Sequence, residues 1–324
     1  MKILMTEPLQ PIGQAQFNDH PEVTLVTPDG LDEASLVAAV ADVDGIAVRS
    51  AKLTAKVLQA AQRLKAVSRH GVGYDNIHVP TLNARGIPLL LAIHANAVSV
   101  AEHTMYFVLH LAKRGRLYDA AARAANFAFR NSPVAIDIAG KTLTIVGYGR
   151  IGTRLAPRAL AFDMQVNVYD PYVDQGLIEA AGCRAVSDLD QVLPQTDFLT
   201  VHCPLNDETR GMIGKPQLDQ LPSRAFVINC ARGGIVDETA LCDALLRDGL
   251  AGAGIDVFTT EPPPMDHPLL QDERIVLSPH SAGVSVEAAQ RMSFETADNL
   301  LAALTGEVRQ NALANPEIAK SGPS

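Results

Sequence analysis

Short apolar runs alternate with stretches of helical periodicity along the first third of the chain. The apolar runs are four or five residues long, which is typical of strands buried on both faces of a parallel sheet. Helical stretches lie between them, for example at 32–40 and 54–61. Because parallel strands need a crossover connection, this alternation predicts a parallel sheet with right-handed crossovers. The predicted strands are 2–6, 23–26, 45–48, 64–68 and 88–91.

A second block with the same alternation follows an alanine-rich stretch at 99–125, which is predicted as one long helix. An apolar helix at 286–305 follows this block and could pack on either one. We therefore expect an α/β protein with two doubly wound parallel-sheet domains. In the second block the predicted strands are 142–146, 165–169, 198–201, 225–229, 252–255 and 275–277, and the predicted helices are 151–161, 176–181 and 238–247.

Composition and charge narrow the class of protein. The chain has 324 residues, of which 47% are hydrophobic and 19% charged, as expected for a globular protein of two domains. The net charge of −9 argues against a nucleic-acid partner, and no apolar run approaches the length of a membrane span. Four cysteines form no C-x-x-C pair, so no metal site is expected. We interpret them as reduced, buried thiols of a cytoplasmic protein.

A glycine-rich segment follows the first strand of the second block. Gly147, Gly149 and Gly152 form a G-x-G-x-x-G pattern, and Asp170 ends the next predicted strand. Such glycines allow a tight strand-to-helix turn and a close approach of the backbone to a pyrophosphate at the helix N-terminus. The carboxylate of Asp170 would accept from the adenosine ribose and repel a 2′-phosphate, which favours NAD over NADP. A glycine-rich turn without a nucleotide is the less favoured alternative.

Three polar side chains stand at or just beyond the ends of later predicted strands: Arg232, Glu261 and His280. The carboxyl ends of parallel strands share one crevice, so these side chains are expected to lie near one another. Reduction of a 2-keto acid needs a proton donor, which histidine can be near neutral pH, and a cation for the carboxylate. Glu261 would orient His280, and Arg232 would grip the carboxylate with two hydrogen bonds. Taken singly, Arg232 also fits a surface turn, and His280 fits a structural role.

These segments together resemble the D-isomer-specific 2-hydroxyacid dehydrogenase family, which includes phosphoglycerate dehydrogenases and glyoxylate/hydroxypyruvate reductases. The resemblance covers nearly the whole chain. Besides the glycine fingerprint, the matching segments are HGVGYDN at 70–76, NAVSVAEH at 96–103, VHCPL at 201–205, NCARGG at 229–234, GIDVF at 254–258, EP at 261–262 and PHSAG at 279–283.

The resemblance implies a fold, a set of site residues and an assembly. A Rossmann NAD-binding domain, 98–285, would be inserted in a split flavodoxin-like substrate domain made of 1–97 and 286–324. A homodimer would form through the NAD-binding domain, with 99–125 as the contact helix. The implied catalytic residues are Arg232, Glu261 and His280. The implied cofactor-binding residues are Gly147, Gly149, Arg150, Ile151, Gly152, Asp170, Cys203, Pro204, Cys230, Ala231, Asp256 and Gly283. The implied substrate-binding residues are Val72, Gly73, Arg232, Arg49 and Asn96.

The predicted function is NAD-dependent interconversion of a small D-2-hydroxy acid and its 2-keto acid, with His280 as proton donor and acceptor. The alternative is an NAD-sensing regulatory or corepressor-like protein of the same fold. In phosphoglycerate dehydrogenases a pair matching Arg49 and Ser50 helps to hold the phosphate, although Arg49 fits a solvated turn equally well. The loop at 68–72 contains no lysine, which argues against phosphite. The identity of the 2-keto acid stays open.

Overall fold

The computed structural model describes residues 1–320 of the chain. Strands and helices alternate along it. The strands are β1 (Lys2–Met5), β2 (Thr24–Val26), β3 (Gly45–Val48), β4 (Ala66–Arg69), β5 (Leu89–Leu91), β6 (Thr142–Val146), β7 (Gln165–Tyr169), β8 (Arg184–Val186), β9 (Phe198–Val201), β10 (Phe226–Asn229), β11 (Gly252–Ile255) and β12 (Ile275–Leu277). The helices are α1 (Pro11–Asn18), α2 (Glu33–Ala39), α3 (Ala55–Ala60), α4 (Val79–Ala84), α5 (Ala97–Ala112), α6 (Gly115–Arg123), α7 (Gly152–Ala161), α8 (Gln175–Ala180), α9 (Lys215–Leu218), α10 (Glu238–Leu246), α11 (Pro268–Gln271) and α12 (Val286–Leu304). Short 3₁₀ turns occur at Phe127–Asn131, Leu189–Gln191, Leu193–Gln195, Gln310–Ala312 and Pro316–Lys320.

The chain forms two compact units. One unit is Met1–Asn96 together with the C-terminal segment that begins at Val284, and the other is Ala97–Gly283. Each unit contains its own parallel sheet and its own buried apolar clusters.

The first unit contains a parallel sheet with the strand order β2-β1-β3-β4-β5. This is the doubly wound order of flavodoxin-like folds, in which the chain reverses its direction of growth between β1 and β3. Leu4 of β1 lies beside Ile46 of β3, and both are fully buried. The helices cover both faces of this sheet, which accounts for the continuous apolar strands in the sequence.

Helix α12 returns to the first unit and packs on α1. Its N-terminus is capped by Ser285, whose hydroxyl accepts from the N–H of Ala288 at 3.0 Å. The backbones of the two helices touch at Gly13, where a Cβ would lie 2.4 Å from the carbonyl oxygen of Ser293. The helix predicted at 286–305 therefore belongs to the same unit as the N-terminal block.

The second unit contains a parallel sheet with the order β12-β11-β10-β9-β6-β7-β8. The chain reverses its direction of growth between β6 and β9, as in Rossmann folds. Helix α5 covers one face, and its Phe107 packs so closely on β11 that a Cβ on Gly254 would lie 2.8 Å from the phenyl ring. The predicted fold class, a Rossmann domain inserted in a split flavodoxin-like domain, is confirmed. Strand β8 and helices α1, α4, α9 and α11 are elements that the apolar pattern did not predict.

The prediction of one helix at 99–125 is wrong. Helix α5 ends at Ala112 and α6 begins at Gly115, with Arg114 between them in the left-handed region at φ 50°. A Cβ on Gly115 would lie 3.2 Å from the ring of His110, so glycine suits the break. The guanidinium of Arg114 lies 5.5 Å from the ring centroid of Phe226, a cation–π contact that holds the turn on the sheet.

The cysteines also differ from expectation. All four are free thiols, but Cys183 and Cys230 are buried whereas Cys203 and Cys242 are partly exposed.

Among residues 1–320 no helix is both long and apolar enough to cross a membrane.

Candidate active site

The glycine loop after β6 is shaped by steric contacts. Gly147 lies in the left-handed region at φ 100°, and a Cβ on it would lie 2.8 Å from the backbone nitrogen of Cys203. A Cβ on Gly152 would lie 2.3 Å from the carbonyl oxygen of Gly147. A Cβ on Gly149, in contrast, would meet no heavy atom within 4 Å. The fold therefore requires two of these glycines, whereas Gly149 borders open space that a ligand can fill.

Helix α7 begins directly behind this loop. The first N–H groups of a helix have no acceptor within the helix, and the positive end of its dipole attracts anions. Arg150, just before the first turn, is exposed, and Ile151 is half-buried. The loop thus offers backbone donors and one guanidinium to an anionic group such as a pyrophosphate.

Asp170 follows β7 and ties two loops together. One carboxylate oxygen accepts from the N–H of Tyr148 at 2.8 Å, and the other accepts from the N–H of Tyr172 at 2.9 Å. Each carboxylate oxygen can accept two hydrogen bonds. Both oxygens therefore keep capacity for ribose hydroxyl groups while they hold the glycine loop in place.

Arg232 lies in a tightly fixed turn after β10. The side chain of Asn229 accepts from the N–H of Ala231 at 3.0 Å and donates to the carbonyl of Arg232 at 2.8 Å. The guanidinium donates to the carbonyl of Ala231 at 2.7 Å. A Cβ on Gly233 would lie 2.0 Å from the backbone carbonyl carbon of Phe258, so the turn lies directly against the segment after β11.

His280 and Glu261 form a direct hydrogen bond. Nδ1 of His280 donates to Oε2 of Glu261 at 2.7 Å, and Oε1 of Glu261 accepts from the N–H of Phe258 at 3.0 Å. The two side chains are 48% and 36% exposed. A carboxylate that holds Nδ1–H fixes the tautomer and makes Nε2 the nitrogen that can exchange a proton with a ligand.

Asp256, at the end of β11, organises the loop that carries His280. The residue is 1% exposed. Its carboxylate accepts from the hydroxyl of Ser278 at 2.5 Å, from the N–H of Ser281 at 2.8 Å and from the N–H of Ala282 at 3.0 Å. Its carbonyl oxygen accepts from the N–H of His280 at 2.8 Å. The sequence analysis assigned Asp256 to cofactor binding and overlooked Ser278, although a serine two residues before the histidine was visible.

The remaining cofactor-binding candidates lie at the same edge of the second sheet. Cys203 and Pro204 follow β9, Cys230 and Ala231 follow β10, and Gly283 closes the loop after β12. Burial raises the pKa of the Cys203 thiol to about 11 and also raises that of Cys230. Both thiols are therefore protonated at neutral pH and act as packing groups rather than as nucleophiles.

In the first unit, Arg49 and Ser50 follow β3. The carboxylate of Glu7, two residues beyond the end of β1, accepts from the N–H of Arg49 at 3.2 Å and from the N–H of Ser50 at 2.7 Å. The guanidinium of Arg49 donates to the carbonyl of Pro8 at 3.0 Å and is exposed. An anion at this turn would thus meet the guanidinium rather than the backbone. Glu7 was visible in the sequence shortly after the first predicted strand, but no local pattern connects it with Ser50.

The loops after β4 and β5 contain the other substrate-binding candidates. These residues are half-buried: Val72, Gly73 and Asn96. Nearby, burial together with the charges of Arg49 and Arg69 lowers the pKa of His70 to about 4. His70 is therefore neutral at physiological pH, and the guanidinium groups of Arg49 and Arg69 lie close enough to act on its ring.

The fold and the strand ends define the second unit as a dinucleotide-binding domain. The glycine loop, the open space at Gly149 and the acceptor Asp170 fit a dinucleotide. Residues 105–282 match the sequence profile described as the D-isomer specific 2-hydroxyacid dehydrogenase, NAD binding domain. The chain belongs to the D-isomer specific 2-hydroxyacid dehydrogenase family, and its cofactor is NAD.

Two of the similar proteins illustrate how far the match extends along the chain. It is 36% identical over 319 residues to the D-3-phosphoglycerate dehydrogenase of Methanocaldococcus jannaschii, which covers 98% of this chain and 60% of that relative. It is 34% identical over 327 residues to the glyoxylate reductase of Korarchaeum cryptofilum, which covers 99% of this chain and 98% of that protein. The chain thus spans less than two thirds of the length of the phosphoglycerate dehydrogenase.

A solved structure matches this chain over its full length. The D-lactate dehydrogenase of Aquifex aeolicus, complexed with NAD and lactic acid, has a TM-score of 0.85 and 27% sequence identity. The match covers 100% of this chain and 100% of that chain.

Replacing Gly149 with alanine is expected to weaken NAD binding without affecting folding, because the added Cβ would enter open space. We expect NADH affinity, measured by fluorescence titration, to fall by at least about tenfold, which is about 1.4 kcal/mol. The Tm should not change.

Gly152→Ala is the matched control, because its Cβ would collide with the carbonyl oxygen of Gly147 at 2.3 Å. This variant should lose both NADH affinity and Tm. Wild-type NADH affinity in Gly149→Ala would contradict the placement of the pyrophosphate at this loop.

Proposed function

We propose that the protein is an NAD-dependent oxidoreductase that interconverts a small D-2-hydroxy acid and its 2-keto acid. The observation that carries the proposal is the His280–Glu261 hydrogen bond of 2.7 Å at the same sheet edge as the glycine loop. A half-exposed imidazole with one nitrogen held by a carboxylate is suited to general acid–base chemistry. Family membership supports the same reaction class.

The side chains divide the chemistry among them. A bound NAD would supply the acceptor for the hydride that leaves C2 of the hydroxy acid, and NADH would supply the hydride for C2 of the keto acid. Nε2 of His280 donates the proton that the carbonyl oxygen needs during reduction and takes it back during oxidation. Glu261 stabilises the imidazolium and fixes its orientation. Arg232 binds the substrate carboxylate, for which a planar guanidinium offers two parallel hydrogen bonds.

The proposed substrate is a small, anionic 2-keto acid. Two guanidinium groups at this edge of the first sheet support an anionic ligand: after burial, the charges of Arg49 and Arg69 are the next causes that lower the pKa of His70. The exposed guanidinium of Arg49 would meet a second anionic group, such as a phosphate. Glu7, bound to the same turn, opposes this by placing a negative charge beside it. The balance between Arg49 and Glu7 therefore determines whether a substrate with a phosphate group binds.

The proposed assembly is a homodimer that forms through the second unit. Helix α6 and the 3₁₀ turn after it contain no buried residue. Leu117 is 46% exposed and Phe127 is 68% exposed. An amphipathic helix with its apolar residues uncovered is suited to a protein partner, and a second copy of the chain is the partner that we propose.

His280→Gln is expected to lower kcat by about 100-fold or more, since a positioned general acid contributes roughly 10²–10⁴-fold. NADH oxidation should be measured against glyoxylate, hydroxypyruvate, phosphohydroxypyruvate, pyruvate and bulkier 2-keto acids. NADH affinity should persist in the variant, because His280 is outside the glycine loop.

The control is His267→Gln, because His267 forms the other His–Glu contact of this unit, with Glu238 at 3.1 Å. That pair is only 18% and 17% exposed, so its loss should affect Tm rather than kcat. Near-wild-type turnover in His280→Gln would remove His280 from the mechanism. Tight NADH binding without turnover of any 2-keto acid in the wild-type protein would favour a regulatory role instead.

Preference for NADH over NADPH is expected to depend on the charge of Asp170. Asp170→Ala would relax it but would also remove the acceptor of the Tyr148 and Tyr172 N–H groups. Asp170→Asn keeps one oxygen acceptor, so it tests the charge more cleanly. We expect the ratio of kcat/KM with NADH to kcat/KM with NADPH to fall by at least about tenfold in this variant, or about 1.4 kcal/mol. Equal use of both cofactors by the wild-type protein would refute the assignment.

Arg49→Ala tests the phosphate contact. If the guanidinium binds a phosphate, KM for phosphohydroxypyruvate should rise by at least about tenfold while KM for glyoxylate changes little. The loss should lie in KM if the contact is equal in the ground and transition states. The matched control is Arg63→Ala, whose side chain pairs with Asp44 at 3.1 Å near the opposite end of the strands. Equal losses on both substrates would show that Arg49 has a general electrostatic or structural role.

A further inference from the structure

We propose that Ser278 and His103 are positioning residues that hold the loop of His280 through the buried carboxylate of Asp256. The proposal rests on the proposed function, because it concerns the geometry of the same proton donor. It adds a residue of α5, far from the strand ends in sequence, to the machinery of the site.

The loop needs external support because His280 has an unfavourable backbone conformation. Its φ of 52° lies in the left-handed region, which residues other than glycine seldom adopt. Such a conformation persists when the surrounding structure over-determines it. Pro279, directly before it, has no N–H with which to stabilise the turn.

Asp256 supplies that support. Its carboxylate accepts hydrogen bonds from Ser278, Ser281 and Ala282, and its carbonyl oxygen accepts from the N–H of His280. The loop is thus held on both sides of the histidine by one residue. A shift of the carboxylate would move the imidazole relative to a bound substrate.

Hydrogen-bond donors and acceptors determine the order of the chain of contacts. An ionised carboxylate only accepts, so the single hydroxyl hydrogen of Ser278 points to Asp256. The contact of 2.9 Å between Oγ of Ser278 and Nε2 of His103 must therefore be donated by the imidazole. Hydrogen bonds are therefore donated from His103 to Ser278 and from Ser278 to Asp256, and each donor orients the group that accepts from it.

Packing fixes the ring of His103 in the orientation in which it donates to Ser278. It lies on α5, where its ring packs edge-on against Phe107 with a centroid distance of 4.6 Å. Burial lowers the pKa of His103, so the ring is neutral at physiological pH and has one N–H. By donating to Ser278, that N–H fixes the hydroxyl rotor and strengthens the bond from Ser278 to the carboxylate.

The test compares four substitutions in the full chain, with His280→Gln in the same series. Ser278→Ala is expected to lower kcat by about 10- to 100-fold, because a displacement near 1 Å costs about that much. Ser278→Thr keeps the hydroxyl and should restore most of the turnover. His103→Leu should have a smaller effect, about three- to tenfold, because the Ser278–Asp256 bond survives. His103→Gln keeps a donor and should recover it.

Two further readouts separate positioning from stability. The Kd for NADH should change far less than kcat, because the glycine loop and Asp170 are not altered. The solvent isotope effect on kcat should increase in Ser278→Ala, because proton transfer becomes slower relative to the other steps. A substitution that only reduces the amount of folded protein would leave kcat unchanged when it is calculated per NADH-binding site. It would also leave the solvent isotope effect unchanged.

The outcomes are distinguishable. Wild-type kcat in Ser278→Ala, or no recovery in Ser278→Thr and His103→Gln, overturns the positioning role while the proposed function stands if His280→Gln is impaired. An active His280→Gln overturns the proposed function itself. Graded losses in the order His280, Ser278, His103, with recovery in the conservative variants, support the proposal.

Discussion

Both sheets consist of parallel strands that helices cover on both faces, and this constraint decides where polar chemistry can occur. The strand interiors must be apolar because neither face meets water. Side chains that bind or react are therefore restricted to the loops beyond the strand ends, and parallel direction brings all carboxyl ends to one edge. Gly149, Asp170, Arg232 and His280 come from four different strands, yet each follows the carboxyl end of its strand.

Close backbone approach is the second requirement of the site. Gly152 lies against Gly147, and Gly233 lies against Phe258, at distances that no Cβ tolerates. Each of these glycines lets one strand-end loop lie directly on its neighbour. The loops therefore support one another, and the geometry of the edge does not depend on long side chains.

Hydrophobic periodicity predicted the fold better than the boundaries or the contacts. Buried parallel strands leave a strong local signal, and strand ends follow directly from it. The break at Arg114 leaves little signal, because it depends on the packing of Gly115 against His110 and of Arg114 over Phe226. The contacts of Ser278 with Asp256 and of Glu7 with Ser50 join residues far apart in the chain. No periodic pattern encodes such pairs, so only the folded structure reveals them.

The second unit, Ala97–Gly283, contains two His–Glu contacts, and their surroundings explain why only one suits catalysis. His267 and Glu238 are mostly buried, and Glu238 also accepts from the N–H and the hydroxyl of Thr259, so the pair ties loops together. His280 is half-exposed, and its strained backbone is anchored by a carboxylate that is itself inaccessible. A buried carboxylate is unfavourable unless donors satisfy it, and the loop around His280 supplies those donors. The strained turn and the buried charge thus stabilise each other, so neither can be altered independently of the other. Such mutual dependence keeps the imidazole in one orientation without covering it, as a proton donor requires.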